Sequence, residues 1–290
     1  MEITLTAPTP FSLPAVVNSH GWVQLVPFQR HDDGTFGYVA RLANGRVLAY
    51  RAAPMAGGLT VSTSARLNEV EKAELAEQVR WTVGLDQDLS PFYELAREHP
   101  RLGHVATHYR GRLLRSPTLF EDVVKTILTT NTTWSGTIRM VTNLVGQWGD
   151  SLPGDAGRHA FPTPEQLAAA SADVLRREAG LGYRAPYIRE LAQAVASTEL
   201  ALEALKYSKL PTPDLRRELL NIKGVGNYAA ANLLLILGRY DHIPIDSWAL
   251  RMVSQEWHDG ESIGPAEVEA AFAEWGHWKG LAYWFWDWTH

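Results

Sequence analysis

Two features of the 290-residue chain have the residue types and spacing that chemistry requires. The first is Lys223-Gly224-Val225-Gly226, a glycine-paired turn between two amphipathic helical patterns. Paired glycines suit a backbone that must reach positive φ or approach another group closely. Amides that follow such a turn point outward at a helix N-terminus, where an anion such as phosphate is favoured. The second is Asp246, about twenty residues further on, just past Ile243-Pro244-Ile245 and just before Ser247, Trp248 and Leu250. A lone carboxylate can stabilise a developing cation or take a proton from water. It can equally well cap the helix that Asp-Ser announces.

The elements that must position these residues follow from patterning. Up to about residue 62 the chain has short β-branched and aromatic runs: Trp22–Val26, Phe36–Leu42, Arg46–Tyr50 and Leu59–Ser62. Turn signals separate them at Asp32-Asp33-Gly34 and at Asn44-Gly45, a two-residue hairpin candidate. The pattern predicts an antiparallel sheet of four or five strands. Asn68 with Glu71 forms a capping-box signature, and Val70, Leu75, Val79 and Val83 mark one face of the helix that follows. From Ser90 onward the chain is helical, each start marked by a Ser/Thr-Pro pair (Ser90, Ser116, Thr163, Thr212) placing a hydroxyl cap before a first-turn proline. The helix from Pro117 carries Leu119, Val123, Ile127 and Leu128 on one face, and the next carries Ile138, Val141, Leu144, Val145 and Trp148. A polar interruption, Thr129-Thr130-Asn131-Thr132-Thr133, lies between them.

Composition is globular, 46% hydrophobic and 20% charged. Without a run of eighteen apolar residues or a signal-like N-terminus, the expectation is an intracellular protein, cytoplasmic or nucleoid-associated. The absence of cysteine excludes disulfides, thiol catalysis, thiolate zinc sites and an iron–sulfur cluster. A net charge of −5 argues against nucleic acid, but the charge is segregated. Residues 101–149 hold six basic side chains (Arg101, Arg110, Arg112, Arg115, Lys125, Arg139) against two acidic ones, residues 206–240 hold six against two, and residues 251–290 hold two against seven. Such segregation is what a one-faced DNA binder needs, and ordinary solvated helix surfaces are the alternative for any single residue.

Together, the glycine hairpin with Ala229-Ala230, the trailing Ile245-Asp246, the Thr/Asn-rich loop, the string Gly180-Leu181-Gly182-Tyr183-Arg184-Ala185 and the aromatic C-terminal helix resemble the helix-hairpin-helix DNA glycosylase superfamily. They come in the order found in its alkylpurine branch, of the 3-methyladenine DNA glycosylase II kind, with similarity also to oxoguanine glycosylases. The resemblance covers most of the chain. It implies an α+β, mainly helical protein: a β domain over 1–88, one helical subdomain over 89–115 and 246–290, and another over 116–245 containing the hairpin, with Asp246 inside a cleft.

The resemblance implies a monomeric enzyme acting on duplex DNA that contains a damaged base. Asp246 takes the catalytic position, and Lys223, Gly224, Val225, Gly226 and Asn227 take the phosphate-gripping positions. Asn131 matches the residue that fills the gap left by a flipped nucleotide, or else ends its helix as a C-cap. Tyr228, Asn232, Tyr283, Trp284 and Trp286 fall on base-pocket positions, with Trp288 and Asp287 alongside; part of this aromatic set must be core. Tyr228 departs from the lysine that bifunctional members use to form a Schiff base, which implies hydrolysis without strand cleavage. A core aromatic is the alternative for Tyr228. His104, His108 and His242 have no ligand-like spacing, and no catalytic metal is assigned. A structural Na+ or K+ is implied at the carbonyls of Leu220, Ile222 and Val225, which water could equally satisfy. Alkylated purines are the expected substrates, 8-oxoguanine the alternative, and a non-catalytic hairpin DNA binder the alternative of another class.

Overall fold

The computed structural model describes residues 1–286. Asp287 and Trp288 lie outside the described residues. In chain order the strands are β1 (Glu2–Thr6), β2 (Phe28–Arg30), β3 (Phe36–Arg41), β4 (Val47–Met55), β5 (Gly58–Ser62), β6 (Ser151–Leu152) and β7 (Asp155–His159). The helices are α1 (Leu13–Val17), α2 (Glu69–Thr82), α3 (Ser90–Ala96), α4 (Gly103–His108), α5 (Leu119–Thr129), α6 (Trp134–Trp148), α7 (Pro164–Ala169), α8 (Ala172–Glu178), α9 (Ala185–Ala196), α10 (Thr212–Leu220), α11 (Asn227–Ile236), α12 (Ser247–Trp257), α13 (Pro265–Ala271) and α14 (Lys279–Phe285). No helix among the described residues is long and apolar enough to cross a membrane.

The chain divides into two compact units, Met1–Asp88 with Arg112–Lys206, and Leu89–Gly111 with Tyr207 onward. This differs from the expected division in where the hairpin belongs. Residues 207–245 cluster with the C-terminal helices and not with 116–206, because the Gly280 amide of α14 donates to the Tyr240 carbonyl at 2.7 Å and Trp278 stacks on Tyr240.

In the first unit the five-stranded sheet is antiparallel with order β1-β5-β4-β3-β2. Trp22–Gln24, expected in a strand, lies instead in a 3-10 turn over Gly21–Gln24. The Asn44-Gly45 hairpin has a three-residue loop: the Leu42 amide donates to the Arg46 carbonyl and the Gly45 amide to the Leu42 carbonyl. Only Gly45 has positive φ there, whereas a two-residue type I′ turn needs it at both centres. The Asn44 carboxamide instead accepts the Arg46 amide, an Asx-type turn. The capping box at Asn68 and Glu71 forms, with Leu75, Val79 and Val83 buried, but Val70 is exposed.

Of the four Ser/Thr-Pro pairs, Thr163 alone caps its helix. The helix after Ser116-Pro117 begins two residues late, at Leu119, with Thr118 as its cap. The carboxylate of Glu203 closes that end by accepting the Leu119 and Phe120 amides at 3.1 and 2.9 Å. A tertiary acceptor more than eighty residues away thus satisfies amides that a local hydroxyl was expected to satisfy.

The sheet packs on α5 through buried ions. Lys125 donates to Glu121 at 2.6 Å, and the Tyr38 hydroxyl donates to the other Glu121 oxygen at 2.6 Å. Asp122 accepts from the Trp22 indole at 2.7 Å and from the Ser116 amide at 2.9 Å. Arg112, Arg115 and Lys125, expected to belong to a basic surface, are therefore interior side chains, each no more than 2% exposed. Their charges are used to satisfy carboxylates, carbonyls and the faces of Trp81 and Phe28 within the unit.

Two titrating groups flank this cluster with opposite signs. Burial pushes Asp122 up to about 6, against the hydrogen bonds from Ser116 and Trp22. Burial, aided by the charge of Lys125, pushes His20 down to about 4, opposed by its hydrogen bond to the Leu114 carbonyl. His20 is neutral in the fold and charged in the unfolded chain between pH 4 and 6.5. Its contribution is complete above pH 6.5 and is lost as pH falls toward 4. Asp122 has the reverse sign, its contribution present below the unfolded value and lost as pH rises through 6. In urea titrations from pH 7 to pH 4, the stability difference between the wild type and His20→Gln is expected to narrow by up to about 3 kcal/mol. A pH-independent difference would rule out the neutral buried imidazole.

Candidate active site

In the second unit the hairpin is α10, a turn, and α11. The Ile222 amide donates to the Leu219 carbonyl and the Val225 amide to the Ile222 carbonyl, while the side chains of Ile222 and Val225 are buried. The turn is thus pinned from beneath by two apolar side chains. Gly224 has φ of +92°, which explains its glycine. Gly226 has φ of −93° in an extended conformation open to any residue, and a Cβ built there meets nothing within 4 Å. Neither conformation nor packing inside the protein requires the second glycine. The open space in front of it does leave room for an outside group to approach the backbone.

Gly226 is also the N-cap of α11 and has no side chain to bond the first helical amides, which remain directed outward. Asn227 is exposed, with its carboxamide oxygen accepting from Arg216 at 2.8 Å. Lys223 is exposed beside it, as are Lys209 and Arg217 of the same segment. The carbonyls of Leu220, Ile222 and Val225 form a neutral donor set. Ile222 spends one lone pair on Val225 and keeps a second. Among the described residues no three His, Cys, Asp or Glu side chains gather in a metal-binding group. The chemistry of three uncharged oxygens fits a singly charged cation.

Beyond α11, the chain through Tyr240–Ile245 delivers Asp246 to the start of α12. Its Oδ1 accepts the Trp248 amide at 3.0 Å and the Ala249 amide at 2.9 Å, so the capping role is real. No hydrogen bond falls on Oδ2 among the described residues, and that oxygen is available for chemistry. The two expectations for Asp246 are compatible because they use different oxygens.

Tyr228 of α11 and Tyr283 of α14 lie within reach of the Asp246 charge. Burial and then the Asp246 charge push the Tyr228 phenol up, while a hydrogen bond with Asn232 pulls it the other way. Burial, Asp246 and Tyr228 together push Tyr283 up further. Both phenols are therefore neutral donors near neutral pH. Asn232, one helical turn on, also donates to the Tyr228 carbonyl at 2.9 Å. Tyr228 is not merely core, since it sits beside the candidate catalytic group.

Trp286, expected in this pocket, is 6% exposed and packs against His99, Trp257 and Phe272 with ring centroids 5.1–5.2 Å apart. Trp286 lies about 60° around the helix axis from Tyr283, which is buried to the same degree and meets the same Phe272 ring. Trp284, half-buried, is turned about 100° from Tyr283. The aromatic side chain that joins the site is Trp248. Its ring meets Tyr283 edge to face at 5.9 Å and is 42% exposed, and its own amide binds Asp246. Its place two residues after the aspartate was a signal available in the sequence.

The first unit carries the other candidate. Asn131 is exposed with φ of +47°, one residue beyond Thr130, which is the C-cap of α5. The carboxamide of Asn131 donates to the Tyr183 hydroxyl at 3.2 Å. The buried Arg184 guanidinium lies over the Tyr183 ring and donates to the carbonyls of Thr130 and Asn131. The Gly-Leu-Gly-Tyr-Arg string therefore braces the Asn131 loop, with Gly180 and Gly182 both at positive φ to make that bend. Tyr183, 49% exposed, is a site residue that sequence reasoning did not single out.

A hairpin that offers free amides, followed by a capping aspartate lined with aromatics, defines a helix-hairpin-helix repair fold. Residues 124–277, more than half of the chain, match the family described as HhH-GPD superfamily base excision DNA repair protein. The chain belongs to that superfamily and is a DNA glycosylase of base excision repair. The chain is 27% identical over 232 residues, 72% of each protein, to a probable N-glycosylase/DNA lyase of Methanothermobacter thermautotrophicus. It is 27% identical over 193 residues to the DNA-3-methyladenine glycosylase of Bacillus subtilis, covering 66% of this chain and 63% of that one. The structure of a 3-methyladenine DNA glycosylase from Archaeoglobus fulgidus has the same fold, with a TM-score of 0.78 and 21% identity over 98% of this chain and 97% of that one.

Open space at Gly226 makes a binding prediction. Gly226→Val is expected to cost about 1 kcal/mol of stability, since a β-branched residue is a poorer N-cap than glycine, yet leave the protein folded and weaken binding to lesion-bearing and intact duplexes by the same factor, because backbone amides read no sequence. Band-shift titrations on both duplexes check this. Loss confined to the lesion duplex would count against phosphate gripping by the turn.

Proposed function

We propose that the protein is a monofunctional glycosylase that hydrolyses alkylated purines from duplex DNA. The observation that carries this reading is the Asp246 carboxylate, with one oxygen bonded to its helix, the other without a hydrogen bond among the described residues, and a charge that acts on the buried phenols of Tyr228 and Tyr283. As the N-glycosidic bond breaks, its electron pair leaves with the base and positive charge grows at C1′. The Asp246 charge stabilises that sugar. Water adds to C1′ and gives its proton to the carboxylate, leaving a free base and an abasic deoxyribose.

By the resemblance of the hairpin, Tyr228 falls on the position that bifunctional members give to their amine. A neutral phenol cannot form an imine, so no route to strand cleavage passes through this residue. Asn131, with Tyr183 braced beside it, fills the gap left by the extruded nucleotide and offsets part of the unstacking energy. Amides after Gly226, together with Lys223 and Asn227, hold the phosphate backbone. A Na+ or K+ at the carbonyls of Leu220, Ile222 and Val225 would brace the turn and add positive charge near the phosphate.

The pocket walls decide the substrate class. Tyr228, Tyr283 and Trp248 offer π faces, which attract cationic N3- or N7-alkylated purines by roughly 0.5–2 kcal/mol. A neutral oxidised purine needs several donors and acceptors, and among these side chains only Asn232 and the two hydroxyls supply them. In a panel of lesion duplexes, release of 3-methyladenine and 7-methylguanine is expected. Efficient release of 8-oxoguanine without either would move the protein to the oxoguanine class.

Two variants test the mechanism. Asp246→Asn keeps the cap, because a carboxamide oxygen still accepts the two amides. It is expected to retain DNA affinity and stability while base release falls on the order of a hundred- to a thousandfold. Asp246→Ala is expected to lose in addition about 1 kcal/mol of stability. Borohydride is not expected to trap the wild type on lesion DNA, whereas Tyr228→Lys places an amine beside Asp246 and should yield a covalent adduct. Trapping of the wild type would mean that another amine reaches C1′.

A further inference from the structure

The exposed large aromatics of the first unit, among its described residues, are Trp134 and Tyr183, and both flank Asn131. Tyr183 reaches it by a hydrogen bond, and Trp134 follows it by three residues at the first turn of α6. Trp134 is 37% exposed, yet its ring is held in a built seat. The indole N–H donates to the Gln24 carboxamide at 3.0 Å. Its six-membered ring lies so close to Gly21 that a Cβ there would sit 2.2 Å from one ring carbon and 2.5 Å from the next. Gly21 has no positive φ, so its missing side chain answers to the indole and not to the backbone.

Two positions more than a hundred residues apart thus cooperate to hold a bulky apolar ring partly in water, where it gains little from burial. A ring fixed in this way has already lost its rotamer entropy, which lowers the cost of stacking on a flat partner. Three residues of chain span at most roughly 10 Å, or about three base steps, from the Asn131 side chain. Resting on the glycosylase reading above, we propose that Trp134 is a second nucleobase-stacking surface, and that it takes a base of the complementary strand next to the one left without a partner. The complementary strand is the one that stays in the helix when the damaged nucleotide leaves, and its unpartnered base is the group that a plug at Asn131 meets.

Binding to a 2-aminopurine reporter tests this. The full-length protein is titrated with an oligonucleotide bearing a tetrahydrofuran abasic analogue, either single-stranded or paired with a complement carrying 2-aminopurine beside the orphaned base. Stacking on the indole is expected to quench the reporter in the wild type. Trp134→Ala should abolish that quenching and weaken duplex binding roughly five- to fiftyfold, with single-strand binding unchanged within about twofold. Trp134→Phe should recover most of the affinity. Gly21→Ala keeps the indole but displaces its ring, and should reproduce the loss without altering the melting profile of the wild type by more than a few degrees. Equal loss on single strand and duplex, or full duplex affinity in Trp134→Ala, overturns the proposal while leaving the glycosylase reading intact. A wild type that does not prefer the abasic duplex to an undamaged one overturns both.

Discussion

The second unit depends on the close approach of two backbones at Gly280. Its amide donates to the Tyr240 carbonyl at 2.7 Å, and a Cβ there would fall 2.5 Å from the His242 carbonyl, 2.7 Å from that of Tyr240 and 2.8 Å from the Leu235 side chain. Two of these three obstacles are backbone, which cannot move aside as a flexible side chain can. The C-terminal helix is consequently locked against the segment that leads from the hairpin to Asp246. Stacking of Trp278 on Tyr240 extends the same contact. Because α14 is held at Gly280, Tyr283, three residues on, is buried within reach of the Asp246 charge, and Trp286, another three residues on, packs against His99, Trp257 and Phe272.

Asp246 combines two functions without compromise because a carboxylate has two oxygens. One oxygen satisfies two of the amides that every helix leaves open at its start. That fixes the side-chain rotamer and leaves the other oxygen without a hydrogen bond among the described residues. In the proposed mechanism helix capping would act as preorganisation: a charge that stabilises a sugar cation would be held in place by the helix it caps, with little reorganisation left at the moment of reaction. Neutral phenols next to it add donors without adding a competing charge.

Charge in the first unit serves a different purpose from the one its sequence advertises. Lys125, Arg112 and Arg115 are consumed inside the unit, where a buried cation must meet a carboxylate, carbonyl or aromatic face. Arg101 pairs with Glu256 and Arg110 bonds to His104 in the other unit. Around the hairpin Lys209 and Lys223 are exposed and Arg217, also exposed, pairs with Asp214, a small footprint for a protein of net charge −5.

The sequence by itself determined the hairpin, the position of Asp246, the capping box at Asn68, strands β3 and β5 and the core stripes of α5 and α6. Each of these is written in local spacing: period two, period 3.6, a glycine pair, or a polar residue before an apolar run. The tertiary structure alone decided which Ser/Thr-Pro pairs cap, since Glu203 supplies the acceptor that Ser116 was expected to supply. It decided that Trp22–Gln24 curls into a 3-10 turn, where Trp22 reaches Asp122, and that Val70 faces water while its helical neighbours are buried. It also decided which tryptophan is exposed: Trp248 and Trp286 are equally apolar in sequence, and only the packing of α12 and α14 leaves one 42% and the other 6% exposed. Side-chain type fixes what a residue can do, but the contacts made by residues far apart in the chain determine whether a charge is a surface patch or a core ion, and whether an aromatic ring is a wall or a filler.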